Sequence, residues 1–381
     1  MSETQSGRDR FLAALRRESI DRVPIFETVI HPDVIDGIVP GATYADFADA
    51  LGLDCVLTST PSSLYHHEVI GEKGGNSLIR TEWGEIRAKT AELVPIPVDH
   101  PVKSPADWEK YRIPDAHAPG RLAQLEKLVS RFKGEKAIGV HLHDAFNYPT
   151  YILGMTELFT LIYENPAWVR EVIDATVDHN VQLVRLAANI GADFVMLGDD
   201  YGGRTGPLMS PKHFEEFFLP GFTRVVQAAK GAGLYVLKHT DGQVEPILGQ
   251  MVAAGIDAFH PSDPSAGMDI VQVQATYGDR IAVAGGIDCG EPLCRWPAPR
   301  LVAEVRWRIR HLAPGGGWLI ASSNAIASGT RPENYLALVW AIKAYGQYDN
   351  LDKYTPVPDL EERFGITMSP DGDFKRRHTL T

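Results

Sequence analysis

The chain has 381 residues, of which 44% are hydrophobic and 23% charged, and its formal net charge is −12. This composition is typical of a globular protein, and the length suits one barrel domain with insertions. The acidic balance argues against nucleic acid or an anionic membrane surface as the main partner. The chain has only three cysteines, too few for a disulfide framework, and this suits a reducing cytosol, so a cytoplasmic location is expected.

Residues 1–20 predict an amphipathic helix, because arginines such as Arg8 and Arg16 are interleaved with Phe11 and Leu12. A signal peptide would need a continuous apolar core instead. No stretch approaches the roughly 18 apolar residues of a membrane span, so no membrane association is expected.

Eight short apolar runs follow along the chain, and most of them end in residues able to do chemistry. They are Val23–Thr28, Asp54–Thr60, Ala137–His143, Asp193–Asp200, Leu234–Asp241, Asp257–Asp263, Ile281–Asp288 and Trp318–Asn324. Helical patterns separate most of them, at Tyr44–Leu51, Leu122–Phe132, Pro166–Ile190, Pro211–Ala232, Val244–Ala254, Asp269–Tyr277, Arg300–Leu312 and Pro332–Tyr345. This alternation predicts an α/β fold, a (β/α)8 TIM barrel with an N-terminal helix, in one domain over residues 1–381.

A long insertion over residues 61–114 follows the second predicted strand, and a tail over 349–381 follows the last helix. The segment from Ser77 to Ile96 has the pattern of a β-hairpin. An excursion after a strand lies on the catalytic face of a barrel. It could act as a lid or as a structural flap.

The fifth predicted strand ends in His239 and Asp241, which share a face because residues two apart in a strand point the same way. An imidazole and a carboxylate at a barrel mouth can hold a metal, orient each other for proton transfer, or bind a polar ligand. The alternative is a core histidine with satisfied hydrogen bonds.

Other strand ends carry further polar groups. Asp199 and Asp200 are adjacent, so they project to opposite sides and at most one faces the mouth. His143 shares a side with His141, and Glu27 lies in an apolar run where a carboxylate needs a partner. The remaining candidates are Asn147, Tyr151, Asp288, Ser323 and Asn324.

The chain resembles the uroporphyrinogen decarboxylase superfamily over roughly residues 8–348. The resemblance is carried by RDRFLAALRRESIDRVPIFE, GDDYGGRTGPLMSPKHFEEFFLP, HTDGQVEPILGQMVAAGIDAFHPSDPSAGMDI, YGDRIAVAGGID and SSNAIASGTRPENYLALVWAIKAYG. It implies a (β/α)8 barrel with its site at the carboxyl ends of the strands.

The decarboxylase branch has an RQAGRY motif whose arginines bind the substrate carboxylates. Here the corresponding stretch is FETVIHP, which has no arginine. The aspartate after strand two has no counterpart in TSTPSS, the serine falls near Asp200 and the histidine near Asn324. Of that branch's site residues only the tyrosine survives, as Tyr151, so porphyrinogen decarboxylation is not expected.

The methyltransferase branch exchanges methyl groups with a corrinoid protein, and its thiol-methylating members hold zinc with a His-x-Cys pair and a later Cys. Here the pair is His239-Thr240-Asp241 and the later position resembles Asn324. Loss of both thiolates argues against thiol methylation. An ether or pterin substrate fits better, and Glu27, His239 and Asp241 could form a harder metal site.

The resemblance therefore favours a corrinoid-linked methyltransferase, such as an O-demethylase component or a methylcorrinoid:tetrahydrofolate enzyme. Decarboxylation of a smaller carboxylated substrate and a non-catalytic role in a corrinoid system stay open as alternatives. The sequence indicates no corrinoid-binding domain beside the barrel, so the corrinoid (cobalamin) would come from a partner protein or bind free. Tetrahydrofolate and Zn²⁺ are the other candidate cofactors, and a homodimer is left open.

The roles expected in this function divide into three groups. The catalytic candidates are His239, Asp241, Asp200 and Tyr151, the substrate-binding candidates are Glu27, Asp199, His143, Asn147, Asn324, Ser323 and Asp288, and the metal candidates are Glu27, His239 and Asp241.

Overall fold

A computed structural model describes residues 5–59, 61, 67–90 and 95–376. Parts of the predicted N-terminal helix (1–4), of the insertion (62–66 and 91–94) and of the tail (377–381) lie outside the described residues.

The described helices are α1 Gly7–Leu15, α2 Pro32–Ile38, α3 Tyr44–Leu51, α4 Pro105–Lys110, α5 Ala123–Phe132, α6 Asn147–Leu153, α7 Met155–Glu164, α8 Pro166–Ile190, α9 Pro211–His213, α10 Leu219–Gly231, α11 Glu245–Ala254, α12 Ile270–Tyr277, α13 Glu291–Arg295, α14 Ala298–Leu312, α15 Pro332–Tyr345 and α16 Pro358–Arg363. A π-helical turn, Phe214–Phe218, joins α9 to α10.

The described strands are β1 Cys55–Thr58, β2 His67–Lys73, β3 Asn76–Thr81, β4 Ile86–Lys89, β5 Ile96–Asp99, β6 Ala137–Leu142, β7 Phe194–Leu197, β8 Tyr235–His239, β9 Ala258–His260, β10 Ala282–Ala284, β11 Trp318–Leu319, β12 Ile366–Met368 and β13 Phe374–Arg376.

The main sheet confirms the predicted α/β class. Its seven strands have the order β1-β6-β7-β8-β9-β10-β11. The pairs β6–β7, β7–β8, β9–β10 and β10–β11 are all parallel. Helices lie between consecutive strands from β6 to β11, which is the connection that parallel pairing requires.

The first predicted strand, Val23–Thr28, is the exception among the eight. It is not a regular strand, and within it Ile25 forms only an isolated parallel bridge with Ile320. The Ile25 amide donates to Asp54 Oδ2 at 2.7 Å, so this backbone donor is not available to a sheet ladder. Pro24 has no amide proton to contribute.

By its internal contacts the chain divides into two compact units. Unit 1 comprises residues 1–57, 132–138 and 257–381, and unit 2 comprises residues 58–131 and 139–256. In unit 1, helix α15 is buried along most of its length, as expected for a helix that is apolar on all sides. In unit 2, all four residues of β7 are buried, as expected for a parallel strand covered on both faces.

The insertion folds as a four-stranded antiparallel sheet, β2–β5, within unit 2. The predicted hairpin is confirmed, since β3 pairs antiparallel with β4. Trp83, in the turn between these strands, is buried and stacks on Tyr148 of α6 with 3.8 Å between ring centroids. This stacking fixes the insertion against the helix that follows β6.

None of the helices in the described part of the chain has both the length and the apolar character that crossing a membrane would require.

Candidate functional site

Three side chains of unit 2 converge just beyond the carboxyl ends of β7 and β8. His239 Nε2 lies 3.9 Å from Asp200 Oδ1 and 3.6 Å from Asp241 Oδ1. One ligand atom from each residue falls within 4.8 Å of the others. These separations are too long for hydrogen bonds.

The imidazole of this cluster is neutral. Burial, followed by the charge of Lys238, lowers the pKa of His239 to about 3. Burial also raises the pKa of the Asp200 carboxyl, because it removes the water that would stabilise the charged form. A neutral imidazole keeps a nitrogen lone pair that can bind a cation or accept a hydrogen bond at ordinary pH.

The cluster is held by close contact between two loop backbones. The Asp241 amide donates to Asp200 Oδ1 at 2.9 Å, and the Tyr201 amide donates to Thr240 Oγ1 at 2.8 Å. A Cβ at Gly202 would lie 2.3 Å from the Asp241 carbonyl oxygen, and one at Gly242, where φ is +81°, would lie 2.5 Å from the Gly202 carbonyl carbon. The approach therefore requires glycine at both positions.

Asp199 points away from this cluster and fixes the loop after β6. Its Oδ1 lies 2.7 Å from His143 Nδ1, and its Oδ2 accepts the amides of Asp144, Phe146 and Asn147 at 3.1, 2.7 and 3.0 Å. Burial alone would raise the pKa of Asp199, but His143, Lys238 and the amides hold it well below its usual range. Asp199 is therefore a buried carboxylate that stays charged.

A second chain of contacts leads from His143 to the inserted sheet. Tyr151 Oη lies 3.4 Å from His143 Nε2, and the Arg87 guanidinium lies over the Tyr151 ring, 4.3 Å from its centroid. Arg87 also pairs with buried Glu85. Burial raises the pKa of Tyr151 to about 12, and it raises that of Glu85 to about 7 despite the neighbouring Arg87.

Behind β8 lies a buried ion pair. Lys238 is fully buried, and its Nζ donates to Asp144 Oδ2 and to the Asp199 carbonyl, both at 2.8 Å. The Tyr201 hydroxyl donates to the other Asp144 oxygen. Burial and the charge of Asp199 raise the pKa of Asp144 to about 6, although Lys238 opposes them. This pair joins the loops after β6 and β7 to strand β8.

The remaining predicted residues lie in unit 1, where Glu27 is buried against Ser322. Burial raises the pKa of Glu27 to about 8. Ser322 Oγ lies 2.5 Å from both Glu27 Oε2 and the Asn324 carbonyl oxygen. A hydroxyl has one proton, so both contacts are satisfied when protonated Glu27 donates to Ser322 and Ser322 donates to Asn324.

Ser323 and Asp288 stabilise the loop after β10 within unit 1. The Cys289 amide donates to Ser323 Oγ at 3.2 Å, and the Gly290 amide donates to Asp288 Oδ1 at 2.8 Å. Both predicted residues thus have local backbone partners. Asn324 likewise accepts the Ala325 amide, at 2.6 Å.

The structure brings the predicted residues of unit 2 into two neighbouring groups. The first is Asp200, His239 and Asp241, and the second is His143, Asn147, Tyr151 and Asp199. Sequence reasoning missed Glu85, Arg87 and Lys238. Two signals were present: Glu85 and Arg87 are two residues apart, and Lys238 interrupts an apolar strand where a cation needs a partner.

The first group fits a divalent cation. Ligand atoms about 2.1 Å from a tetrahedral ion are roughly 3.4 Å apart, close to the two separations at His239. One neutral imidazole and two carboxylates form a harder set than thiolates do. In the part of the chain that the structure describes, Glu27 is not in this group, and its carboxyl contacts Ser322 instead.

A parallel sheet whose strand ends carry histidines and carboxylates is the arrangement of an α/β enzyme. The family model for uroporphyrinogen decarboxylase (URO-D) matches residues 6–345. The chain therefore belongs to this family of enzymes, as the sequence motifs predict.

Individual relatives are distant. A uroporphyrinogen decarboxylase of Hydrogenovibrio crunogenus is 24% identical over 90% of this chain and 98% of its own length. A methyltransferase structure from Methanosarcina mazei matches 89% of this chain and 98% of its own, with a TM-score of 0.68 and 19% identity. A B12-independent methionine synthase from Shewanella matches 85% and 96%, with a TM-score of 0.50 and 9% identity. The two structures show that the fold is shared.

Proposed function

We propose that the protein is a corrinoid-linked methyltransferase. It would move a methyl group between a small donor, such as an aryl methyl ether or a methylcorrinoid, and a corrinoid or tetrahydrofolate. The observation that supports this most is the group of Asp200, neutral His239 and Asp241, which offers oxygen and nitrogen atoms at strand ends. Such a set suits an ether oxygen or a pterin ring better than a thiol.

Asp200, His239 and Asp241 would hold a divalent cation such as Zn²⁺ in this function. When bound, the cation supplies Lewis acidity toward a substrate oxygen. The corrinoid would come from a partner protein or bind free.

The side chains themselves bind and orient the substrate. Asp200 and Asp241 can accept hydrogen bonds from a pterin or hydroxyl group, and the Tyr151 phenol, protonated at ordinary pH, can donate one. The loop contact through Gly202 and Gly242 keeps the two carboxylates in place before substrate arrives. Preorganised polar groups lower the cost of reaching the transition state.

Charge argues against the porphyrinogen substrate of the named relatives. The FETVIHP segment carries Glu27 where the RQAGRY motif would supply arginines. Each buried substrate carboxylate without a cation would cost several kcal/mol, enough to prevent useful binding.

Three assays on the purified protein test this proposal. A methyl ether with cob(I)alamin, or methylcobalamin with tetrahydrofolate, should show methyl transfer, and uroporphyrinogen III should remain unchanged. Elemental analysis should find a divalent metal that the Asp241→Asn variant lacks. Coproporphyrinogen formation at a useful rate would overturn the proposal.

One observation favours a second candidate, decarboxylation of a smaller carboxylated substrate. Arg87 supplies a cation beside Tyr151 and His143 that the sequence motifs do not show. A single guanidinium can bind one carboxylate with two hydrogen bonds. Release of CO₂ from small aromatic or heteroaromatic acids, without methyl transfer, would select this candidate.

A further inference from the structure

We propose that His143 is the residue that transfers a proton to and from the substrate, with Asp199 and Tyr151 as its positioning residues. The inference rests on the proposed function in one respect, that the reaction needs a proton. Both candidate reactions, methyl transfer from an ether and decarboxylation, need one. Nothing in the named family resemblance assigns this role to position 143.

The Nδ1 side of the imidazole is fixed by Asp199. The carboxylate lies 2.7 Å from Nδ1 through one oxygen, and three backbone amides hold its other oxygen. Asp199 cannot rotate without breaking those amide contacts. Asn147 Nδ2 also lies 3.2 Å from Nδ1, but the closer Asp199 carboxylate can only accept a hydrogen bond. Asp199 therefore favours the tautomer with its proton on Nδ1, which leaves Nε2 as the exchanging atom.

The Nε2 side faces the Tyr151 hydroxyl, 3.4 Å away. This separation is at the long end of a hydrogen bond, so a substrate oxygen can replace the phenol as the partner of Nε2. Arg87 lies over the Tyr151 ring and pairs with Glu85, which keeps the phenol beside the imidazole.

The geometry is that of an acid–base pair in which a carboxylate orients a histidine. In demethylation of an ether, the bond between the methyl carbon and the oxygen would break as the methyl group passes to a reduced corrinoid supplied as co-substrate. The bonding electrons stay on the oxygen, which takes the proton from His143 Nε2. For this step the ring carries a proton on both nitrogens, the one on Nε2 taken up beforehand from water, and the Asp199 carboxylate balances its charge. In decarboxylation, the electrons of the broken carbon–carbon bond stay on carbon, which takes the same proton. Water returns the proton to His143 in either case.

Several charged and titratable groups surround His143. They are Asp199 and Asp200 after β7, His141 on β6, Tyr148 and Tyr151 on α6, His179 on α8, and Glu85 with Arg87 on the inserted sheet.

The test uses the full chain and two independent measurements. The first is turnover against pH for the wild type, His143→Ala, His143→Gln and Asp199→Asn, with imidazole added to the alanine variant. We expect kcat to fall about 100- to 10,000-fold in both His143 variants, and imidazole to restore part of it in the alanine variant. His213→Gln is the control, because this histidine of unit 2 contacts Tyr163 and Phe217, which are not among the groups around His143.

The second measurement needs no turnover. Long-range ¹H–¹⁵N NMR spectra report which ring nitrogen of His143 carries the proton. We expect the Nδ1–H form in the wild type and its loss in Asp199→Asn. A wild-type ring with its proton on Nε2 and none on Nδ1 would overturn the inference.

The outcomes separate the two proposals. Failure of every methyl-transfer and decarboxylation assay with the wild type would reject the proposed function, while NMR would still decide whether the pair exists. A folded His143→Gln variant whose kcat stays within threefold of the wild type would reject the role of His143 alone.

Discussion

The Asp241 backbone amide donates a hydrogen bond to Asp200 Oδ1 at 2.9 Å. This contact ties the loop after β7 to the loop after β8, between residues 41 positions apart in the chain. The same Asp200 oxygen lies 3.9 Å from His239 Nε2, and Asp241 Oδ1 lies 3.6 Å from that nitrogen. The candidate metal ligands are therefore aligned by the backbone as well as by side-chain packing.

Replacing His239 with alanine should abolish turnover and reduce bound divalent metal to background. The melting temperature should stay within about 3 °C, because a residue at a strand end adds little to the core. Activity assays, elemental analysis and calorimetry on one preparation provide the three measurements. His311→Ala, at an exposed histidine, is the control. A variant that unfolds would show that His239 is a core residue.

The buried pair of Lys238 and Asp144 should show strong energetic coupling. Lys238→Met leaves a buried carboxylate without its cation, which typically costs about 3–5 kcal/mol. The double variant Lys238→Met with Asp144→Asn should lose less than the sum of the two single variants. Urea denaturation of all four proteins measures the difference.

The exposed pair of Arg224 and Asp174, in the same unit, is the comparison for that cycle. Its side chains are 45% and 65% exposed, so its coupling should stay below about 1 kcal/mol. Equal coupling in the two cycles would show that burial does not strengthen the Lys238 pair.

The stability of the Glu27→Gln variant, measured relative to the wild type, should increase as the pH rises. Burial raises the pKa of Glu27 from 4.5 to about 8, so between these values the folded state keeps a proton that the unfolded state has lost. The free energy of unfolding of the wild type therefore falls as the pH rises across that window, by about 5 kcal/mol at most. Above the folded-state pKa, Glu27 adds no further pH dependence.

Denaturation of Glu27→Gln and wild type at pH 4, 6 and 8 measures that difference. The exposed Glu291→Gln change, also in unit 1, should leave the pH dependence of the wild type intact. A wild-type minus variant difference that is flat across the three pH values would mean that Glu27 is ionised in the folded protein.

Arg87→Met should distinguish the two candidate reactions. If Arg87 binds a substrate carboxylate, its loss should raise KM for the acid at least tenfold, because a desolvated charge pair is broken. The uncharged methyl ester of the same compound should keep its KM. Steady-state kinetics with the acid and the ester give the comparison. Equal increases for both compounds would show that Arg87 acts by supporting Tyr151.

The sequence carries most of the information about the strand ends. The predicted run Leu234–Asp241 contains β8, Tyr235–His239, and the run Asp193–Asp200 contains β7, Phe194–Leu197. The opposite directions expected for Asp199 and Asp200 are observed, since Asp199 contacts His143 and Asp200 faces His239. Period-two alternation is local, so it can be predicted from neighbouring residues.

What depends on distant packing could not be predicted in the same way. Arg87 reaches Tyr151 only because the inserted sheet packs on α6, and no local pattern encodes that placement. The protonated state of Glu27 depends on complete burial beside Ser322, almost 300 residues away. The first strand was predicted from its apolar composition, but the Ile25 amide within it donates to the distant Asp54 side chain and not to a neighbouring strand.

The backbone contact between Gly202 and Gly242 sets a limit on how this site can diversify. Neither loop can take a side chain at that point without displacing the other. Substitutions in residues 200–203 therefore have to be compatible with those in residues 240–243. Loop exchange with a relative should succeed only when both segments are transferred together. Directed evolution toward new substrates would meet less resistance at Tyr151 or Arg87, whose side chains contact other side chains and not a second backbone.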